Sequence, residues 1–244
     1  MHEEDFRTDP GSNTMRYHAL IPAAGVGARM GIAYPKQYMQ MAGCSVLQHA
    51  VNAFLRCPQI DTVFVVVSAD DAYVDDRLQT QERLRVLRCG GATRAETVSN
   101  GLRFALESAG ISQHDWVMVH DAARPGLTPA LIEKLIAAIS VEQVGGLLAQ
   151  PVHDTVKQVI DGRVQTIPRE TLWLAQTPQM FRAHVLLDAL NRAPNVTDEA
   201  SAIEFCGGNP ILVEGEARNR KLTRPEDVEY LSAILERDVQ QQSS

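Results

Sequence analysis

Residues 19–36 read A-L-I-P-A-A-G-V-G-A-R-M-G-I-A-Y-P-K, an apolar strand that runs directly into a short turn. The turn contains residues with little or no side chain, namely Ala23, Ala24, Gly25 and Gly27. Their backbone N–H groups can therefore lie close to a ligand. Two cations follow, Arg29 and Lys36, and neither belongs in a hydrophobic core. Free amides and positive charge at the end of a strand predict a binding site for a polyphosphate.

Two common phosphate-binding motifs do not fit this turn. The dinucleotide fingerprint needs glycines at its first, third and sixth positions, and here Met30 occupies the sixth. No acidic residue stands where a ribose-binding carboxylate is expected, about 20 residues further on at the end of a second strand. The phosphate loop of NTPases needs Gly-Lys followed by Ser or Thr, which the chain lacks. An ordinary tight turn is the remaining alternative, and the flanking cations favour the phosphate site over it.

Composition narrows the class of protein. The 244 residues, 45% hydrophobic and 22% charged, suit one large α/β domain or two small ones. A net charge of −7 argues against general nucleic-acid binding, so an anionic ligand must be held by a local group of cations. The four cysteines are scattered without a C-x-x-C pair, which predicts reduced thiols and a cytoplasmic location. No apolar run is long enough to span a membrane, and the polar start of the chain is no secretory signal.

Predicted strands and helices alternate along most of the chain. Strands are expected at residues 17–21, 62–67, 84–87, 116–119, 146–149 and 211–213, and helices at 46–55, 93–109, 128–139, 183–192, 197–206 and 225–239. This order predicts an α/β fold with a doubly wound, mostly parallel sheet and helices on both faces, which makes three α/β/α layers. Residues 17–239 form the single predicted domain, residues 1–16 a disordered extension or tag, and residues 240–244 a tail.

Residues 151–173 interrupt the alternation. Asp161-Gly162 stands between two runs rich in β-branched residues, which is a strong signal for a β-hairpin. A lone two-stranded ribbon is only marginally stable in water. We therefore expect this projecting arm to pack against something else, and a partner subunit is the obvious candidate.

Two further loops at predicted strand ends carry polar or glycine-rich signals. The first is G-G-A-T-R at residues 90–94, where a ligand-binding loop and a plain loop capped by Thr93 are equally compatible with the sequence. The second is H-D-A-A-R-P at residues 120–125, where Asp121 suits a divalent metal or a sugar hydroxyl and Arg124 suits a phosphate. An Asp121–Arg124 salt bridge is the alternative. No histidine is matched with a Ser or Cys nucleophile, so a hydrolase triad has no support.

The same motifs resemble a known family. P-A-A-G-V-G-A-R-M with P-K-Q at residues 22–37, G-G-A-T-R-A-E-T-V at 90–98 and V-H-D-A-A-R-P at 119–125 are similar to the bacterial 2-C-methyl-D-erythritol 4-phosphate cytidylyltransferases of the non-mevalonate isoprenoid pathway. Further matches lie at residues 151–157, 168–179, 197–202 and 221–227. The resemblance extends from residue 17 to about residue 235 and is highly specific.

The resemblance implies a fold of the nucleotide-diphospho-sugar transferase type, a homodimer joined through the hairpin arm, CTP as co-substrate and Mg²⁺. The residues expected to wrap the triphosphate are Ala23, Ala24, Gly25 and Gly27. Those expected to lie against cytosine are Gly91 and Thr97. The catalytic group would be Arg29 and Lys36 at the reacting phosphorus, with Arg169 and Lys221 orienting the acceptor.

For the acceptor, the resemblance implies contacts from Asp121, Arg124, Thr177, Thr197 and Lys221, with Thr155 and Arg169 supplied by the other subunit. Asp121 would face either substrate hydroxyls or the metal, which is otherwise held by the CTP phosphates. Two departures stand out, since Thr97 replaces a more common Ser and Ala92 replaces the Asp of some members.

The chemistry implied is attack by an alcohol phosphate on the α-phosphorus of CTP, with pyrophosphate leaving. The attacking phosphate is largely dianionic because its second pKa is about 6, so no general base is needed. Ribitol 5-phosphate is the alternative acceptor. A non-catalytic nucleotide-binding protein of the same fold is the remote alternative, and the retained Arg29, Lys36, Arg169 and Lys221 argue against it.

Overall fold

The computed structural model describes residues 15–25, 34–139 and 143–242. The strands, in chain order, are β1 (Tyr17–Pro22), β2 (Gln40–Met41), β3 (Cys44–Ser45), β4 (Ile60–Val66), β5 (Leu84–Leu87), β6 (Trp116–Val119), β7 (Gly145–Pro151), β8 (Val156–Ile160), β9 (Arg163–Ile167), β10 (Trp173–Arg182) and β11 (Ile211–Glu214). The helices are α1 (Val46–Leu55), α2 (Val74–Arg77), α3 (Arg94–Ser108), α4 (Pro129–Ala138), α5 (Ala183–Arg192), α6 (Glu199–Phe205) and α7 (Glu226–Gln242). Short 3-10 turns lie at Lys36–Tyr38 and Ala217–Asn219.

The described residues form a seven-stranded sheet in the order β11-β7-β10-β6-β1-β4-β5. Neighbouring strands are parallel except at β10, which runs antiparallel to both β6 and β7. The prediction of a mostly parallel α/β sheet is therefore confirmed. Strand β10 was not predicted, because Pro178 and the polar residues before it interrupt the apolar pattern, and the pairing with β7 is irregular between Ala175 and Gln179.

Helices cover both faces of the sheet, as the three-layer prediction requires. Side chains of one strand alternate between the two faces, so Ala19 and Ile21 of β1 pack in one apolar cluster while Leu20 packs in the other. The first cluster includes Phe54 of α1 and residues of α4, and the second includes Leu102 of α3 with residues of α5 and α6. Both faces are buried, which is why the strands read as continuous apolar runs.

Side-chain caps mark the starts of α1, α3 and α4. The Ser45 hydroxyl accepts the backbone N–H of Gln48 at the start of α1, and Thr128 accepts that of Leu131 at the start of α4. Thr93 and Glu96 form a reciprocal capping box at α3. Among the described residues, none of the helices combines the length and apolar character needed to cross a membrane.

The loops after β1, β5 and β6 meet at one edge of the sheet, because parallel strands end on the same side. The backbone N–H of Gly90 donates to Val67 O at 2.8 Å, which ties the loop after β5 to the residue that follows β4. A side chain at Gly90 would place its Cβ 2.4 Å from the Ala24 Cβ. Glycine is therefore needed at residue 90 for the loop after β5 to approach the loop after β1.

The predicted hairpin arm is confirmed as strands β8 and β9. Asp161 and Gly162 connect them with φ values of 49° and 76°, the pair of left-handed residues that a type I′ turn requires. Most of the arm is exposed, and Val159 and Val164, paired across the two strands, are 64% and 67% exposed. In the single chain, these apolar side chains of the arm are therefore exposed to water.

Candidate active site

A first cavity of about 540 Å³ lies at this edge of the sheet. Eight residues singled out in the sequence line it, namely Ala23, Ala24, Gly25, Lys36, Gly91, Thr97, Asp121 and Lys221. Gly27 and Arg29, which were expected to join them, lie outside the described residues. Segments far apart in the sequence are thus brought to one cavity by the parallel strand ends.

The loop after β1 is held by a residue that the sequence analysis did not single out. The side-chain amide of Gln37, which is 5% exposed, donates to Ala23 O at 2.8 Å and to Gly25 O at 3.0 Å. Because a single amide bonds two carbonyls of the turn, the backbone conformation at residues 23–25 is fixed. The glutamine of the P-K-Q motif is the only sequence signal for this role.

Lys36 reaches the far side of the first cavity. Its ammonium donates to Leu222 O at 2.6 Å, next to Lys221 in the chain. Both cations line the cavity. The structure thus brings these two predicted catalytic lysines to the same wall.

The loop before α3 is shaped by its own helix. The buried Thr97 hydroxyl accepts the Gly91 N–H at 3.1 Å and donates to Thr93 O at 2.9 Å. The Glu96 carboxylate accepts the Ala92 N–H at 2.8 Å. The Thr97 hydroxyl therefore supports the backbone of a loop at the cavity wall.

Asp121 is the centre of a cluster of cations, which we call the Asp121 cluster. Its carboxylate lies 3.1 Å from Arg94 Nε, 3.3 Å from Arg124 Nε and 2.9 Å from Lys221 Nζ. Burial alone would raise the pKa of Asp121, but the charges of Arg94, Lys221 and Arg124 outweigh it and hold the pKa far below its usual range. The Asp121–Arg124 salt bridge considered from the sequence is present, and two more cations share the carboxylate.

Arg94 and Glu199 form an ion pair that the sequence analysis missed, in which Glu199 is buried and Arg94 is partly exposed. Two guanidinium nitrogens of Arg94 contact the two Glu199 oxygens at 2.6 and 3.0 Å. Both residues are the first residues of their helices. One signal was present, because a cation at the first position of a helix opposes the helix dipole and needs a nearby carboxylate.

A second cavity of about 180 Å³ adjoins the first and shares Arg94, Asp121 and Lys221 with it. It also contains three of the expected acceptor residues, namely Arg124, Thr177 and Thr197. Thr155 and Arg169 line neither cavity of the described chain, because both lie exposed on the arm, where Arg169 bonds His153 O. The structure therefore unites the acceptor residues of one chain and separates the two assigned to a partner.

Buried His120 joins Thr177 to the Asp121 loop. One ring nitrogen, Nε2, lies 3.1 Å from Arg124 O, which can only accept, so Nε2 carries the proton. The other, Nδ1, then accepts the Thr177 hydroxyl at 2.9 Å, while that hydroxyl accepts the Asp121 N–H at 3.0 Å. Thr177 has no hydroxyl proton left for a ligand and can only accept from one.

We expect His120→Gln to reduce the loss of stability at mildly acidic pH. Burial lowers the pKa of His120 from 6.5 to about 4, so acid protonates the unfolded chain first and stability falls as pH drops through this window. Protonation linked to His120 lowers the free energy of unfolding by up to about 2 kcal/mol between about pH 7 and about pH 5. The variant should still lose some stability in acid, because burial also lowers the pKa values of His18 and His49.

Urea unfolding at the two pH values measures this difference. Exposed His153→Gln is the matched control and should keep the parent slope. An unchanged pH dependence in His120→Gln would contradict the assignment.

Asp121 does not fit the role of a direct metal ligand. Both of its oxygens already contact cations, and a divalent ion there would meet the charges of Arg94, Arg124 and Lys221. Across residues 15–25, 34–139 and 143–242, no three His, Cys, Asp or Glu side chains come together as a metal site. The residues present instead suit an anion beside the Asp121 cluster.

Comparison with known proteins gives a consistent result. The family model described as 2-C-methyl-D-erythritol 4-phosphate cytidylyltransferase (IspD) matches residues 17–237. Enzymes of that name from Burkholderia multivorans and Paraburkholderia phymatum are 48% and 49% identical, each over 92% of this chain and 98% of their own.

Solved structures agree with the sequence matches. A 4-diphosphocytidyl-2C-methyl-D-erythritol synthase superposes with a TM-score of 0.82 at 40% identity, covering 91% of this chain and 100% of its own. The IspD of Francisella tularensis superposes with a TM-score of 0.74 at 36% identity, covering 90% and 99%.

Proposed function

The chain belongs to the 2-C-methyl-D-erythritol 4-phosphate cytidylyltransferase family of nucleotidyltransferases, and on this premise we propose how its residues transfer CMP from CTP to methylerythritol phosphate in isoprenoid precursor synthesis. One observation carries the proposal: the two cavities adjoin and share Arg94, Asp121 and Lys221. A nucleotide in the first cavity and an acceptor phosphate in the second would meet beside the Asp121 cluster.

The reaction is a single displacement at the α-phosphorus. An oxygen of the acceptor phosphate forms a new bond to phosphorus, and the bond to the β-phosphate oxygen breaks as pyrophosphate leaves. The attacking oxygen needs no base, since the second phosphate pKa is about 6. The barrier comes mainly from repulsion between anions and from charge on the leaving oxygens, so fixed cations lower it.

For the nucleotide, the proposal assigns the triphosphate to the loop of Ala23, Ala24 and Gly25, with Gly27 added from the sequence. Gly91 would lie against cytosine, and Thr97 would fix the loop that carries it. Lys36 would stabilise charge on the reacting phosphate and the leaving pyrophosphate. The same role for Arg29 rests on the sequence and the family.

For the acceptor, Arg124 and Lys221 supply positive charge in the second cavity, and Thr177 and Thr197 supply oxygen contacts. Lys221 is already held by Asp121 at 2.9 Å, so it is oriented before the acceptor arrives. Because the Thr177 hydroxyl can only accept, it would bind a substrate hydroxyl rather than a phosphate oxygen.

The position of the metal, the domain bounds and the location in the cell are proposals beyond the family assignment. We propose that Mg²⁺ enters on the CTP phosphates rather than on Asp121, and that it neutralises phosphate charge there. One catalytic domain over residues 17–239, with the arm at 151–173, and a cytoplasmic location rest on the sequence. Residues 1–14 lie outside the described residues, so an extension at 1–16 stays a prediction.

Pyrophosphate release from CTP tests the proposed function. Purified, Mg²⁺-replete protein is incubated with CTP and either methylerythritol phosphate or ribitol 5-phosphate. We expect turnover with the first acceptor and little with the second. Faster turnover with ribitol 5-phosphate would overturn the acceptor, and no turnover with either would favour a non-catalytic nucleotide-binding protein.

We further propose a homodimer in which each arm brings Thr155 and Arg169 to the other subunit's acceptor cavity. Support comes from the exposed apolar arm and from the position of Arg169 outside its own chain's cavities. We therefore expect Arg169→Ala and Lys221→Ala each to be nearly inactive. Their equimolar refolded mixture should regain about a quarter of the parent activity. In a two-fold assembly, half of the dimers are mixed, and each mixed dimer has one intact site out of two. Turnover of the mixture measures this regain.

The matched control is Arg169→Ala mixed with Arg169→Ala that also carries Lys221→Ala. Every site in that mixture lacks Arg169, and some also lack Lys221, so activity should stay low. A mixture of the two single variants that gains nothing over the control would contradict a site shared between subunits.

A further inference from the structure

We propose that the Arg94–Glu199 ion pair is a positioning device that couples the two substrate sites, so that a nucleotide in the first cavity strengthens binding of the acceptor in the second. This inference rests on the proposed function, because it assigns one substrate to each cavity. Neither residue needs to touch the reacting atoms for the coupling to operate.

The first observation is the geometry of the pair. The guanidinium of Arg94 contacts both Glu199 oxygens, at 2.6 and 3.0 Å, and Glu199 is 1% exposed. Such paired contacts fix the plane of the guanidinium as well as its distance. Separating Arg94 from Glu199 would leave the buried Glu199 carboxylate without its counter-charge, so the two side chains are held together.

The second observation is where the two partners stand in the chain. Arg94 is the first residue of α3, directly after the loop that contains Gly91. Glu199 is the first residue of α6, two residues after Thr197. The ion pair thus joins the start of the helix at the nucleotide side to the start of the helix at the acceptor side, across 105 positions of sequence.

The third observation is that Arg94 lines both cavities and also holds Asp121. Its remaining nitrogen, Nε, contacts Asp121 Oδ1 at 3.1 Å, so one planar group is fixed to two carboxylates at once. Asp121 in turn holds Lys221 at 2.9 Å. A shift at the start of α3 would therefore displace both the start of α6 and the lysine that awaits the acceptor.

The charges around the two arginines explain why Arg94 has a positioning role while Arg124 binds the acceptor phosphate. Glu199 neutralises Arg94, which is consequently a weak partner for an incoming phosphate. Arg124 and Lys221 have only Asp121 as a carboxylate partner within 4.0 Å in the described chain, so their charge remains for an anion. A nucleotide that contacts the loop before α3 would hold the start of α3, and through Arg94 also the start of α6 and Lys221, in the arrangement that binds the acceptor, which is positive coupling.

The coupling is measured as a ratio of two dissociation constants. Methylerythritol phosphate is titrated calorimetrically into the protein with and without a saturating, unreactive α,β-methylene analogue of CTP and Mg²⁺. For the parent protein we expect the analogue to tighten acceptor binding by roughly tenfold, within the usual range of such couplings. For Arg94→Lys and for Glu199→Gln we expect the ratio to fall below about two, because neither keeps the charged, two-fold contact.

Arg192→Lys is the matched control, since Arg192 pairs with Asp188 on the exposed surface of α5 and should keep the parent ratio. A merely structural defect would weaken acceptor binding equally with and without the analogue. Glu199→Gln keeps the shape of the side chain and serves where Arg94→Lys fails to fold.

Two results would overturn the inference: a parent ratio near one, or a parent-like ratio in the folded variants. Pyrophosphate release by the parent protein is measured separately, and its failure would count against the proposed function. The binding ratio decides on the ion pair alone.

Discussion

Asp121→Asn is expected to lower kcat/KM by about 100- to 1,000-fold. The substitution keeps the size of the side chain but removes the charge that Arg94, Arg124 and Lys221 share. Removing the compensating anion from a partly buried cluster of cations is destabilising. The three cations would then repel one another, and Arg124 and Lys221 would leave the positions from which we propose they orient the acceptor.

Steady-state pyrophosphate release, with CTP and acceptor varied in turn, measures the loss. Asp188→Asn is the control, because it breaks the exposed Asp188–Arg192 pair and should stay close to the parent. The Mg²⁺ concentration for half-maximal rate should not change in Asp121→Asn. A large increase in that concentration would contradict our exclusion of Asp121 as a metal ligand, and a rate within threefold of the parent, about 0.7 kcal/mol, would contradict the role of the cluster.

Lys36→Ala is expected to lower kcat by about 100- to 1,000-fold while raising the KM for CTP by less than about fivefold, as for a donor that acts mainly on developing charge. The ammonium lies at the wall of the first cavity, held against Leu222 O at 2.6 Å. Charge on the leaving pyrophosphate grows in the transition state, so the cation is worth more there than in the bound ground state.

Single-turnover and steady-state rates with CTP measure both constants. The matched control is Lys134→Ala, since Lys134 also donates to a backbone carbonyl, Glu214 O at 2.6 Å, but is exposed on the outer face of α4. The control should retain the parent kcat. A Lys36→Ala variant with unchanged kcat and weakened CTP binding would remove Lys36 from the transition state.

Local signals were sufficient for much of the fold. The apolar runs of β4 and β6, the caps at Ser45, Thr93 and Thr128, and the Asp-Gly hairpin turn all depend on neighbours in sequence. Strand β10 was missed because a proline and several polar residues occupy the segment that passes through the site. Its pairing with β6 and β7 is decided by long-range contacts that no local pattern reveals.

The residues of the site likewise fall into those that local sequence predicts and those that depend on long-range contacts. Glycines, cations and Asp121 at strand ends could be predicted because parallel strands end on one edge of the sheet. Arg94 with Glu199, Gln37 with the β1 loop, and His120 with Thr177 could not, because each contact depends on how separate segments approach one another. In isolation, each of these residues reads as an ordinary cap, loop or core residue.

We propose that CMP transfer is a single in-line displacement between two adjoining cavities, without a covalent enzyme intermediate. The most direct test is the stereochemistry at phosphorus. A single diastereomer of CTP with sulfur on the α-phosphorus is turned over with methylerythritol phosphate, and the configuration of the product is determined by phosphorus NMR. We expect inversion, whereas retention would show two successive displacements through an enzyme nucleophile and would contradict a single displacement.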